Sequence, residues 1–125
     1  MMIDTNIIIY ALRPEHAQLQ SWLLEQMPCC SVISRVETLG YHRLTTAAQR
    51  SLEGVLSCME VIYPSPVTFE RAIQLRQQRR ISLGDALIAA TALEHRLVLA
   101  TANLSDFQWI QGLTVVNPME RSINA

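Results

Sequence analysis

Ser82-Leu83-Gly84-Asp85-Ala86-Leu87-Ile88-Ala89-Ala90-Thr91-Ala92, continuing to Arg96 and then into Leu97-Val98-Leu99-Ala100-Thr101, is the stretch that decides the fold. From Ser82 to Arg96 the helical projection is apolar nearly all round, which marks a central helix packed on a sheet rather than one lying on the surface. Alanines at 86, 89, 90 and 92 let that helix approach the sheet closely. The apolar run from Leu97 to Thr101 reads as the strand that follows. A buried helix feeding a strand is half of a βαβ crossover, the unit of a parallel sheet.

The same alternation extends outward. Met2 to Asp4 reads as a first strand, followed by a short helix to about Leu12 and a break at Arg13-Pro14. Glu15 to Met27 carries Leu19, Trp22, Leu23 and Gln26 at helical spacing and ends before Pro28. Cys29 to Ile33 is the second strand, Ser34 to Leu44 a helix, and Thr45 the cap of another helix to about Cys58. Met59 to Tyr63 alternates as a strand. Ser65-Pro66 then opens a helix to about Arg79, with serine as cap and proline in its first turn. Leu113 to Val116 is the last strand, closed by Asn117-Pro118. The expected architecture is α/β: one three-layer α/β/α domain over residues 1–125 around a central, mostly parallel sheet.

Composition narrows the class. Half of the 125 residues are hydrophobic and 17% are charged, which excludes disorder and leaves some apolar surface for a partner. The net charge of -1 provides no general basic field, so nucleic-acid binding would have to be local or cation-mediated. Every basic residue is arginine. Cys29, Cys30 and Cys58 lack metal-site spacing and read as small buried hydrophobes in a reducing compartment. His16, His42 and His95 likewise lack a shared pattern. No secretion signal or membrane-spanning run is evident, so a cytoplasmic protein is expected.

The three aspartates and one glutamate carry the chemistry. Asp4 ends the first strand, Glu37 follows the second, Asp85 opens the buried helix, and Asp106 follows the strand at Leu97–Thr101. Such positions border the crevice of an open parallel sheet. Structural readings exist for each. Ser34-x-x-Glu37 and Ser82-x-x-Asp85 fit helix-capping templates, Asp4 could start an Asx turn, and Asp106 could be a solvated loop residue. If the acids converge, however, each pair at about 5 Å repels by roughly 3 kcal/mol, and a cation is required. Hard oxygen ligands without histidine or cysteine favour Mg²⁺ or Mn²⁺.

With these residues in place, the chain resembles the PIN-domain ribonucleases, and among them the VapC-type toxins of toxin–antitoxin modules. The likeness lies in Ile3-Asp4-Thr5-Asn6-Ile7, Ser34-Arg35-Val36-Glu37-Thr38-Leu39, Leu83 to Ala92, and Thr101-Ala102-Asn103-Leu104-Ser105-Asp106-Phe107. It implies a PIN-like fold and a Mg²⁺- or Mn²⁺-dependent endoribonuclease. It also implies a homodimer, an RNA substrate and a cognate antitoxin. Carried over by position, Asp4, Glu37 and Asp85 are the acidic metal-binding and catalytic core, with Asp106 or Asn103 completing it. Many members of the family have an acid where this chain has Asn103. Thr5, Asn6, Thr101 and Asn103 would orient the ligands by hydrogen bonds.

Arg76, Arg79 and Arg80, at i, i+3 and i+4, are candidates for guiding RNA phosphates, against the alternative of a solvated helix face. Leu19, Trp22 and Leu23 are candidates for an antitoxin groove, against core packing. Rival readings are a PIN nuclease of RNA processing without a toxin role and a non-catalytic α/β module whose acids only cap helices. A phosphatase using Asp4 as nucleophile would want a second aspartate where Asn6 stands.

Overall fold

The computed structural model describes residues 1–120; the last five positions of the domain expected over 1–125 lie outside the described residues. Five short strands, β1 (Met2–Ile3), β2 (Cys29–Ser31), β3 (Glu60–Ile62), β4 (Leu99–Ala100) and β5 (Val115–Val116), form one sheet in the order β3-β2-β1-β4-β5. All four pairings are parallel. Helices α1 (Thr5–Ala11) and α2 (Ala17–Gln26) join β1 to β2, and α3 (Val32–Leu39) and α4 (Thr46–Ser57) join β2 to β3. The chain then crosses back through α5 (Pro66–Gln78) and α6 (Leu83–Glu94) to β4, and α7 (Leu104–Phe107) precedes β5.

The strand alternation sorts the core into two layers. Met2, Cys29 and Leu99 point to one face, where α5, α6 and Phe107 pack. Ile3, Cys30 and Ala100, the next residue along each strand, point to the other, where α1, α2 and α4 supply Ile7, Ile8, Leu19, Leu23, Leu52 and Leu56. This is the distribution expected when right-handed crossovers run in opposite directions from a central strand. Cys29 and Cys30 are buried on opposite faces, but Cys58 is exposed at the end of α4, contrary to its reading as a buried hydrophobe. Leu19 and Leu23 are core residues with Trp22 packed beside them, and Leu23 also lines a cavity of about 670 Å³ together with Leu12, Leu24 and Met27.

In α6, every residue from Ala86 to Ala92 is buried, as its sequence requires. The strands are shorter than expected, β4 spanning Leu99–Ala100 and not Leu97 to Thr101, and both ends of α3 differ from expectation. Strand β2 stops at Ser31, whose hydroxyl accepts from the Ile33 amide and caps α3. Ser34 is therefore inside the helix and not its cap. The helix also ends at Leu39, with Gly40 as its C-cap, rather than at Leu44. Among the described residues, no helix is long and apolar enough to cross a membrane.

Candidate active site

The strand order reverses direction at β1 and β4. After β1 the chain proceeds to β2 and β3, then returns to β4 and β5 on the other side. A crevice opens at such a switch point, outside the carboxyl ends of the strands. Asp4 leaves β1 and Thr101 leaves β4 at this place.

Asp4 is both a cap and something more. Its backbone is extended (φ -75°, ψ 160°), and its Oδ1 accepts from the Thr5 amide at 2.8 Å, opening α1. The carboxylate is nonetheless almost wholly buried, at 4% exposure, and its Oδ2 accepts from the Thr101 hydroxyl at 2.9 Å. That hydroxyl in turn accepts from the Asn103 amide at 3.1 Å, so the strand end and the following loop hold Asp4 in one orientation.

Thr5 links the second acid. Its hydroxyl donates to Glu37 Oε1 at 2.7 Å. Having one hydrogen, it must then accept from the Ser34 hydroxyl, 2.9 Å away. Ser34, one turn before Glu37 on the same helix face, is a site residue that the sequence reading assigned to a cap. Glu37 lies against the first turn of α6: a Cβ placed on Gly84 would come within 2.8 Å of Glu37 Oε2. Only glycine leaves room for that carboxylate beside Asp85.

Asp85 sits in the first turn of α6, its amide donating to the Ser82 hydroxyl at 3.1 Å. Asp106 belongs to the short helix α7, not to a loop, and is exposed. Asp4 and Asp85 each feel the charges of other acids. Burial pushes the Asp4 carboxyl up to about 6, hydrogen bonds from Thr101 and Thr5 oppose the rise, and the charges of Asp85 and Glu37 add to it. Asp85 is also raised, by burial first, against its hydrogen bond with Ser82, and further by Glu37 and Asp106. Among the described residues, no arginine figures among the causes of either shift. Asp4 thus lies within the fields of Glu37 and Asp85, and Asp85 within those of Glu37 and Asp106.

No three acids, histidines or cysteines among the described residues close around a single ion-sized point. The cluster is a ring of mutually repelling oxygens rather than a finished cage. Its donor chemistry fits a hard divalent cation, because all its donors are oxygens. Asn6 adds a buried Oδ1 that has no hydrogen-bond partner among the described residues, an acceptor that an ion's bound water could satisfy. Of the expected arginines, Arg79 and Arg80 line a pocket shared with Asp85 and Asp106; Arg76 lies a turn back on α5 and does not.

Comparison with known proteins agrees with this geometry. The sequence profile described as PIN domain matches residues 1–109. Ribonuclease VapC1 of Rickettsia felis is 34% identical, with 93% of this chain and 94% of that protein covered. The tRNA(fMet)-specific endonuclease VapC of Salmonella typhimurium is 30% identical over 91% of this chain and 94% of its own length. A toxin–antitoxin complex from Klebsiella pneumoniae includes a chain that superposes with a TM-score of 0.73 at 33% identity, covering 94% of this chain and 96% of that one. An α/β sheet whose switch point gathers carboxylates, and a family profile spanning most of the sequence, lead to one conclusion: the chain belongs to the PIN-domain family.

Proposed function

We propose that this protein is a divalent-metal-dependent endoribonuclease, the toxin of a toxin–antitoxin pair, which hydrolyses RNA phosphodiester bonds at the β1/β4 crevice. One observation carries the chemistry: Asp4 is buried at the end of the central strand, within the fields of Glu37 and Asp85. The toxin role is supported by the VapC ribonucleases that the chain resembles and by the toxin–antitoxin complex on which it superposes. A cognate antitoxin and a homodimer belong to the same reading. Phe69 and Ile73, exposed one turn apart on α5, support a protein contact there.

Asp4, Glu37, Asp85 and Asp106 would hold the cation, taken here to be Mg²⁺ or Mn²⁺. When bound, it supplies Lewis-acid stabilisation of phosphorane charge and a bound water of lowered pKa. Asp4 is the fixed member, since both of its oxygens are already oriented by Thr5 and Thr101. Glu37 is exposed and tied through Oε1 to Thr5, which leaves Oε2 to take the proton of the attacking water. The water oxygen bonds to phosphorus as the bond to the leaving ribose oxygen breaks. Thr101 and Asn103 keep the Asp4 carboxylate from rotating during that step.

Incubating the purified protein with RNA and Mg²⁺ tests the proposal. Wild type should cleave, chelator should abolish cleavage, and Asp4→Asn or Asp85→Asn should each slow it by about a hundredfold or more. Undiminished cleavage by both variants would refute the site.

A further inference from the structure

On one side the acid cluster opens into a pocket that shares Asp85 and Asp106 with it and whose other walls the cation chemistry leaves unused. The pocket, of about 290 Å³, is walled by Arg79, Arg80, Asp85, Ser105, Asp106 and Trp109, among others. We infer that this pocket is a base-binding subsite, holding the nucleobase of an unpaired nucleotide adjacent to the phosphate being cut, against the Trp109 indole and the Arg79 guanidinium. The inference rests on the RNA-cleaving reading above and adds to it the group that the enzyme grips next to the cut.

Three observations support it. The Trp109 ring is fixed in advance: its Nε1–H donates to the Asp106 carbonyl at 2.8 Å, and its body packs against the core layer containing α5 and α6. With that donor used internally, what the partly exposed indole offers a ligand is apolar ring surface. The Arg79 guanidinium lies 5.5 Å from the ring centroid, where the backbone leaves α5 in an extended conformation. The guanidinium lies over a face of the indole, so an entering base stacks on the outer face of the guanidinium or takes its place on the ring. Finally, Asp85 belongs to both the pocket and the acid ring, so a base in the pocket places its own backbone at the carboxylates.

Arg80, exposed on the pocket wall, is positioned to contact a backbone phosphate. A base in a continuous duplex is stacked on its own neighbours and cannot enter. The subsite therefore selects unpaired or looped RNA, with little preference among bases, since each has a π-face.

The test uses fluorescence and kinetics. The chain has two tryptophans, and Trp22→Phe leaves Trp109 as the reporter. Titrating that variant in chelator with a mixed-sequence single-stranded RNA should quench its emission saturably, whereas a blunt RNA duplex should not. In Mg²⁺, Trp109→Leu should raise KM about tenfold, with kcat within about twofold, and Trp109→Phe should restore KM. Arg79→Ala, at an exposed position, should raise KM severalfold even if Trp109→Leu folds poorly. Absence of quenching by single-stranded RNA, equal quenching by the duplex, or an unchanged KM in Arg79→Ala would overturn the subsite. A protein that cleaves no RNA, but whose emission is quenched selectively by single strands, would refute the nuclease reading and leave the base pocket standing.

Discussion

Asp4 shows how one residue can satisfy a structural and a chemical demand together. It caps α1, as an aspartate before a helix should, yet its buried carboxyl is pushed up to about 6 from an ordinary value of 3.8. A raised acid opposes folding once it is ionised. Its unfavourable contribution is absent below the ordinary value, grows as pH rises between the two values, and is complete above the folded one. In chelator, wild type should therefore lose stability across that window, by an amount on the order of 3 kcal/mol. Asp4→Asn should flatten the profile, as urea unfolding at a series of pH values would show. Gly84 is a second informative residue. Gly84→Ala should strengthen α6 by up to about 1 kcal/mol through helix propensity. The added methyl nevertheless displaces Glu37 Oε2, with which it would be 2.8 Å apart. The predicted outcome is an unchanged or raised melting temperature with cleavage reduced about tenfold or more. Full activity would show that the position of Glu37 is unimportant. The aspartates were legible in the sequence because there are only three and each stands at the end of a strand or in the first turn of a helix. The role of Ser34 was not, because its partner, Thr5, is 29 residues away.

At the scale of elements, legibility followed the strength of the local pattern. Helix α6 could be read because a continuous apolar surface admits only a buried helix, and the residues from Ala86 to Ala92 are indeed buried. The start of α3 could not, because Ser31 and Ser34 are both residues of the capping type and the β-branched Val32-Ile33 between them favours a strand. The choice fell to the sheet: β2 pairs with β3 through Ser31↔Ile62, and the helix begins at the next residue. Helix α7 escaped notice because its four residues are too short for periodicity. Ser65 was legible as a cap, but the structure gives it more to do. Its hydroxyl accepts from the Thr68 amide at the start of α5 and donates to Glu94 Oε1 near the end of α6 at 2.6 Å. The Thr68 hydroxyl also donates to Glu94, and these two bonds hold its carboxyl below the ordinary value. Ser65→Ala should cost about 1 kcal/mol in urea unfolding while leaving RNA cleavage per folded molecule unchanged, since the tie lies outside the acid ring. A loss of activity without a loss of stability would contradict that separation.

For the whole molecule, the parallel sheet and its two helical layers were implied by the alternation of elements, whereas the strand order was not. Short strands of two or three residues carry too little pattern to specify their partners. Only the assembled order puts β1 beside β4 and so brings Asp4 against Thr101, 97 residues away in sequence. The central claim is that this topology makes Asp4, Glu37, Asp85 and Asp106 a single cation site. Titration of the metal-free protein with Mn²⁺, with free ion followed by electron paramagnetic resonance, tests it most directly. Wild type should bind the ion, and Asp4→Asn and Asp85→Asn should each weaken binding about tenfold or more. Glu53→Gln, on the exposed surface of α4, should leave it unchanged. Equal affinity in wild type, Asp4→Asn and Asp85→Asn, or no binding by wild type, would contradict the account.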